Sequence, residues 1–361
     1  MPDLDGLSLQ DSHHHRDIAL SESQFQMGFD SFEQVETPKV ARKPRPKAKV
    51  VAAPVSPVAP ALTLEAMAAT LEKSLDFKVL RRLQPVLRFD RQPQGECLRV
   101  IVLDTETTGL DHASDKIIEL AMLQVDVDRA TGLPVGDVQV YDGLEDPGMV
   151  ISADIQAITG ISNEMVSGQS LDLVRITQLL QGVDLVIAHN AAFDRPFCEA
   201  RLPAFAKLSW ACSFAEIDWK KEGHGSSKLE YLALEKGWFY EAHRAEVDCH
   251  ALLAVLAETL PSSQHSGLAR LVAQSRVSSY RLQANQAPFE TKDLLKARGY
   301  RWNAEQKVWQ IRLSDETQLA SEYEWLKASV YGGRPARVLV EKMSPTIKYS
   351  SRAGEMSMTQ I

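Results

Sequence analysis

Asp104 and Glu106 stand one residue apart at the end of the apolar run Leu98-Arg-Val-Ile-Val-Leu103. On an extended chain such positions point the same way, so the two carboxylates would sit side by side. A pair like that needs cations to offset its repulsion, and hard oxygen ligands suit magnesium or manganese. The chain has no cysteine and histidine cluster with zinc spacing. Asp194, closing His-Asn-Ala-Ala-Phe-Asp, would bring a third carboxylate. Asp248 brings a fourth at the end of His-Arg-Ala-Glu-Val-Asp, the stretch that opens with His243. A histidine in a loop beside a metal site can accept a proton from a metal-activated water near neutral pH, which is general-base chemistry.

These side chains need rigid supports. Leu98 and Val100–Leu103 read as a buried strand, and Leu185–Ala188 as a second that turns at His189 and Asn190 into a helix carrying Asp194. Asp248 opens an apolar helix through Ala251, Leu252, Leu253, Val255 and Leu256, with His243 on the loop before it. Each piece alone has a plainer reading. An isolated Asp-x-Glu commonly marks a solvated strand end, and aspartate often caps a helix without any metal nearby.

Taken in order, the three stretches resemble the DEDDh exonucleases, the group that contains the proofreading epsilon subunit of bacterial DNA polymerase III, ribonuclease T and oligoribonuclease. The likeness covers about residues 97 to 260 and includes Thr-Gly after the first stretch, His-Asn opening the second and Arg-Ala inside the third. It implies that Asp104, Glu106, Asp194 and Asp248 hold two Mg2+ (or Mn2+) ions and that His243 is the base. Two ions about 3.5 to 4 Å apart clamp both the entering and the leaving oxygen of a phosphoryl displacement. By the same resemblance Thr107, Thr108, Gly109 and Leu110 would line the terminal nucleotide, with Asn190 and Phe193 beside base or sugar. Thr159-Gly160-Ile161 is a further substrate candidate. Phe193 as a core residue, and Asn190 as a residue holding its own turn, stand as the alternatives.

With 361 residues and 44% hydrophobic content, the chain can bury a nuclease-sized core and carry further segments. Four separated cysteines are too few for a disulfide framework, no apolar run reaches membrane-spanning length, and no signal pattern opens the chain, so a cytoplasmic location is expected. The net charge of −8 is partly accounted for by acids that metals would neutralise.

Residues 1–61 read as a disordered acidic segment followed by a Pro/basic linker, with His13-His14-His15 in the first part and six basic residues between Lys39 and Lys49 in the second. Residues 62–96 read as a helical lead-in: apolar spacing over Leu64–Leu87 predicts one or two helices docked on the core, with Lys78, Arg81, Arg82 and Arg88 forming a positive side. Residues 97–262 are expected to form the exonuclease domain. Strands near 99–104, 117–127, 136–142 and 185–189 alternate late with helices, an α/β pattern. The resemblance refines this to a ribonuclease-H-like mixed sheet flanked by helices.

Residues 276–352 form a small α+β module in expectation, with fourteen Lys/Arg against eight Asp/Glu. Phe289–Ile311 reads as a helix stopped by Gly299 and a hairpin carrying Tyr300/Trp302 and Trp309/Ile311. Trp302 and Trp309 are expected in its core, and the module as a whole is a candidate for nucleic-acid binding through aromatics among basic residues.

The expected activity is metal-dependent 3'-to-5' removal of nucleoside 5'-monophosphates from single-stranded or frayed 3' ends of DNA, in proofreading or repair, with a polymerase or repair complex as partner and no membrane. Two alternatives stay open: 3' trimming of RNA, and a non-catalytic DNA or polymerase adaptor. The second is opposed by the filling of all five candidate catalytic positions.

Overall fold

A computed structural model describes residues 63–361. The acidic segment, the His13–His15 run and the Pro/basic linker lie outside the described residues. The described part begins with helix α1 (Leu64–Leu71), capped by the Thr63 hydroxyl, and two short strands, β1 (Arg81–Arg82) and β2 (Arg88–Phe89). Helix over the whole of 64–87 is therefore not what forms. Pro85 disfavours helix at Gln84, and the Arg81–Arg82 backbone pairs in parallel with a strand more than 150 residues away. The expected positive side is largely neutralised. Arg81 meets Glu65 and Glu72, Arg82 meets Glu241, and Arg88 meets Asp90 and Asp137.

Next come β3 (Cys97–Thr107), β4 (Ile117–Asp128) and β5 (Pro134–Leu144), then α2 (Ala153–Thr159), α3 (Asn163–Val166) and α4 (Leu173–Leu180). After these follow β6 (Leu185–Ala188), α5 (Ala191–Arg201), β7 (Trp210–Cys212), α6 (Ser213–Glu216), α7 (Leu229–Glu235), β8 (Trp238–Phe239), α8 (Ala245–Ala257) and α9 (Gly267–Gln274). Six strands form one sheet in the order β2-β5-β4-β3-β6-β7, antiparallel from β2 to β3 and parallel from β3 to β7. This is the expected mixed sheet flanked by helices.

The centre of that sheet is covered on both faces, which explains the unbroken apolar run in β3. Val100 and Val102 pack with Leu252, Leu253 and Leu256 of α8, whereas Ile101 and Leu103 pack with Leu179 of α4 and Phe197 of α5. Val100, Ile101, Val102 and Leu103 are all fully buried.

The chain then builds a second sheet from β9 (Ser279–Ala284), β10 (Arg301–Asn303), β11 (Val308–Leu313), β12 (Arg337–Met343) and β13 (Glu355–Gln360), with α10 (Lys292–Arg298) and α11 (Glu316–Trp325) between its strands. The order is β10-β11-β9-β12-β13, antiparallel throughout, and the sheet reaches Gln360, past residue 352. Gly299 ends α10 in the left-handed region at φ 105°, as its position after the helix predicts. Trp309 is partly buried against the apolar cluster of this sheet, but Trp302 is 52% exposed. Its strand, β10, is the sheet edge, so Trp302 has a neighbour on one side only.

Arg195 of α5 ties the first layer to the loop between β12 and β13. Its side chain is fully buried and donates to Glu199 and to the backbone carbonyls of Thr346 and Lys348, each at 2.6 Å. Ser350 and Arg352 also bind Glu199, and the Trp210 backbone N–H donates to the Pro345 carbonyl at 3.2 Å. Among the described residues no helix is long and apolar enough to cross a membrane.

Candidate active site

Side chains alternate along β3, so Asp104 and Glu106 continue the row of Val100 and Val102 that faces α8. The first turn of α8 presents Asp248 to them. One carboxylate oxygen from each of Asp104, Glu106 and Asp248 lies within 4.8 Å of the others. The three side chains are partly buried, and their surroundings oppose ionisation. Burial, reinforced by the charges of Asp194, Asp248 and Glu106, holds the Asp104 carboxyl well above the usual carboxylate range. Burial and the Asp248 charge push Glu106 up to about 8. Burial also raises Asp248 to about 6, against the pull of the His243 backbone N–H and the Tyr240 hydroxyl. Three partly buried carboxylates that cannot readily ionise together are a donor set suited to a hard divalent cation.

Asp194 takes another position. It lies in the first turn of α5, 2% exposed, and its Oδ1 accepts hydrogen bonds from the Thr105 N–H (3.1 Å) and hydroxyl (2.9 Å). Thr105 falls between the two acids of β3. Asp194 therefore grips the strand between Asp104 and Glu106, and it stands outside the three-carboxylate cluster. Burial raises it to about 7, countered by the Thr105 bonds. Neither Asp194 nor Asp248 is the N-cap residue of its helix, since Asn190 and Arg244 occupy those positions.

His243 is exposed on the loop before α8, with its backbone in the left-handed region at φ 66°. A non-glycine residue there costs on the order of 1 kcal/mol and needs an external hold. The His243 N–H donates to Asp248 Oδ2 at 2.8 Å and the Arg244 N–H does so at 3.2 Å. The Arg244 guanidinium then anchors the loop by donating to Glu119 at 3.0 Å (Nε) and 2.7 Å (Nη2), and the Ala245 N–H donates to the same carboxylate at 2.8 Å. Glu119 has no exposed side-chain surface and is the β4 partner of Glu106.

Glu119 and Tyr240 escaped the sequence reading. A charge inside Ile117-Ile118-Glu119-Leu120-Ala121 was a usable signal, because a charge in a buried strand requires a partner. Tyr240, whose hydroxyl donates to Asp248 Oδ1 at 3.2 Å, has no comparable signature.

The expected substrate contacts divide. Thr107 donates its hydroxyl to the Gly109 carbonyl (2.6 Å), and the Thr108 hydroxyl donates to Asp115 and accepts from the Lys116 N–H, so both shape the loop itself. A Cβ on Gly109 would meet the Asp115 carboxylate at 2.5 Å, which accounts for glycine there without a ligand. Leu110 is exposed, and Asn190 is exposed in the left-handed region at φ 74°. Phe193 is partly buried, its ring centroid 5.2 Å from that of Phe197. Thr159, Gly160 and Ile161 close α2: the Thr159 hydroxyl accepts from the Ile161 N–H, and Ile161 is fully buried. Beside Asn190, His189 shares a 2.8 Å hydrogen bond with Ser213, and burial lowers its pKa to about 4.

A family model described as RNase T exonuclease matches residues 101–256. The DNA polymerase III subunit epsilon of Treponema pallidum (strain Nichols) is 31% identical over 160 residues, a match covering 42% of this chain and 71% of that protein. The PolC-type DNA polymerase III of Listeria innocua is 35% identical over 118 residues, which is 31% of this chain and 8% of that polymerase. This chain therefore spans only a small fraction of the PolC-type relatives. Among solved structures, exonuclease X in complex with 5' overhanging duplex DNA is 23% identical, with a TM-score of 0.32, covering 47% of this chain and 99% of that one. Exonuclease I of E. coli in complex with a dA16 oligonucleotide is 17% identical, with a TM-score of 0.38, covering 51% and 48%.

Proposed function

Because the chain belongs to the RNase T exonuclease family and is a nuclease hydrolase by that membership, we propose that it removes nucleoside 5'-monophosphates from the 3' ends of DNA in a divalent-metal-dependent reaction, in proofreading or repair. The observation that carries this reading is the convergence of Asp104, Glu106 and Asp248. Asp104, Glu106 and Asp248 would hold the first ion. Asp194, beside them at Thr105, would complete the set for a second. Such ions, when bound, supply charge compensation on the scissile phosphate and lower the pKa of a coordinated water.

The chain's own residues supply the remainder. His243, exposed on a loop tied to Asp248, takes the proton of the attacking water through its imidazole. Arg244 and Glu119 keep that loop in place. Leu110 and Phe193 flank the terminal nucleotide, and Asn190 meets its sugar. DNA is the preferred polymer because the epsilon relative, matched over 71% of its length, is a DNA polymerase subunit.

The test is incubation of 5'-labelled single-stranded DNA and RNA of matched sequence with the full chain, in magnesium, manganese or chelator, beside Asp104→Ala. A metal-dependent ladder shortening from the 3' end of DNA, lost in the variant, is expected. Faster loss of RNA would move the assignment to RNA trimming, and no degradation of either polymer would make the chain an adaptor.

A further inference from the structure

Phe289, Lys292, Trp302 and Lys307 line a slot in the second sheet, between the start of α10 and the β10–β11 hairpin. The slot holds about 350 Å3, within the roughly 300–1,000 Å3 of ordinary ligand sites. Two features separate it from an incidental surface dent. Phe289 is 75% and Trp302 52% exposed, although this sheet buries Tyr300, Leu295 and Leu282 almost completely. The exposed Trp302 ring is also braced. Trp302 packs edge-to-face on Trp309 at 5.6 Å and 63°, and the Lys292 ammonium lies 4.2 Å from the Phe289 ring centroid. The hairpin turn is held by the Gln306 N–H donating to Asn303 at 2.9 Å and by Gln283 donating to Gln306 at 2.7 Å. A ring braced as Trp302 is loses little entropy when it stacks on a ligand.

Charge selects the ligand. Residues 286–312 carry six Lys/Arg against three Asp/Glu in a chain of net charge −8, and Lys292 and Lys307 both lie at the slot. Flat aromatic faces beside ammonium groups are complementary to a polymer of flat bases joined by phosphates. We propose that this slot binds single-stranded nucleic acid, stacking bases on Trp302 and Phe289 while Lys292 and Lys307 contact the backbone. It would be a strand-holding site separate from the carboxylate cluster, carried by a sheet whose β12–β13 loop Arg195 fastens to the exonuclease core. The choice of nucleic acid as occupant agrees with the exonuclease reading, but the binding itself requires neither metal nor cleavage.

The experiment is a fluorescence-anisotropy titration of labelled oligothymidylate with the full chain in chelator, at several salt concentrations, for wild type, Trp302→Ala, Trp302→Phe and the double variant Lys292→Ala/Lys307→Ala. Stacking worth roughly 1–3 kcal/mol per base predicts about a 5- to 150-fold weaker Kd for Trp302→Ala, with substantial rescue by Trp302→Phe. The double lysine variant should lower the salt slope by roughly 1.4. Hydrolysis of a nitrophenyl ester of thymidine 5'-phosphate in manganese, a substrate with a single nucleotide and no strand to stack in the slot, should be unchanged in all the slot variants. Wild-type affinity in both Trp302→Ala and the lysine variant would overturn the proposal. So would slot substitutions that weaken binding of labelled polyglutamate, titrated in parallel, while leaving oligothymidylate binding unchanged, which would make it a site for acidic protein segments. Loss of ester hydrolysis in Asp104→Ala with oligonucleotide binding intact reports on the exonuclease reading separately.

Discussion

Arg244 places two guanidinium nitrogens on the fully buried carboxylate of Glu119, and this pair ties the loop of His243 to the strand alongside Asp104 and Glu106. The same carboxylate accepts the Ala245 N–H, so one side chain sets both the loop and the start of α8. Removing Arg244 leaves a buried charge without its ion-pair partner. Arg244→Ala should cost about 3–5 kcal/mol, measured as a lower urea midpoint at unchanged slope. Glu119→Gln in the same background should recover part of that loss, because no charge is then stranded.

Metal removal should make stability depend on pH with a defined sign. Glu106 rises from the ordinary glutamate value of 4.5 to about 8, and Asp248 from 3.8 to about 6. Both groups bind their protons more tightly folded than unfolded. Their contribution is therefore complete below the unfolded values and is lost as pH rises through about 6 and then about 8. In chelator, Tm should fall between pH 5 and pH 8.5 (~). Saturating magnesium or manganese should raise Tm most at the alkaline end, as differential scanning fluorimetry would show.

Asp104→Asn removes one of the crowded charges. Metal-free protein carrying it should melt above wild type at alkaline pH, yet show no metal-induced rise in Tm and no nuclease activity. A variant that melts lower than wild type in chelator would mean that the neighbouring charges add nothing to the burial that raises these carboxyl groups.

His243 and Asp248 should separate by readout. His243→Gln is expected to lower kcat about 100- to 10,000-fold while leaving the metal-induced rise in Tm intact, since the hydrogen bond His243 gives Asp248 comes from its backbone N–H, which the substitution keeps. Asp248→Asn should lose both activity and the metal response. Parallel metal titrations of the two variants decide this.

Much of the site was readable from residue order because it follows strand and helix periodicity. Val100 to Leu103 are apolar without interruption since β3 is covered on both faces, and two-residue alternation then puts Asp104 and Glu106 on the α8 side. What sequence reasoning missed depends on partners distant in the chain. The Thr105 bonds that hold Asp194 against β3 span 89 residues, and the Arg244–Glu119 pair spans 125. Leu64, Met67, Leu71 and Leu75 carry helical spacing, yet the helix stops at Leu71 and the chain forms a short strand at Arg81–Arg82, where Trp238 and Phe239 offer a backbone to pair with. Trp302 looked like core by residue type, and only the strand order shows that it stands at an edge.

Asp194 and Arg195 are consecutive on α5, one gripping the strand of the carboxylate cluster and the other gripping the loop between β12 and β13 through the Thr346 and Lys348 carbonyls. A single turn of helix is thus a rigid coupling with no linker to absorb motion. Any displacement of the Thr346–Lys348 segment would therefore load the same helix that steadies Thr105 between Asp104 and Glu106.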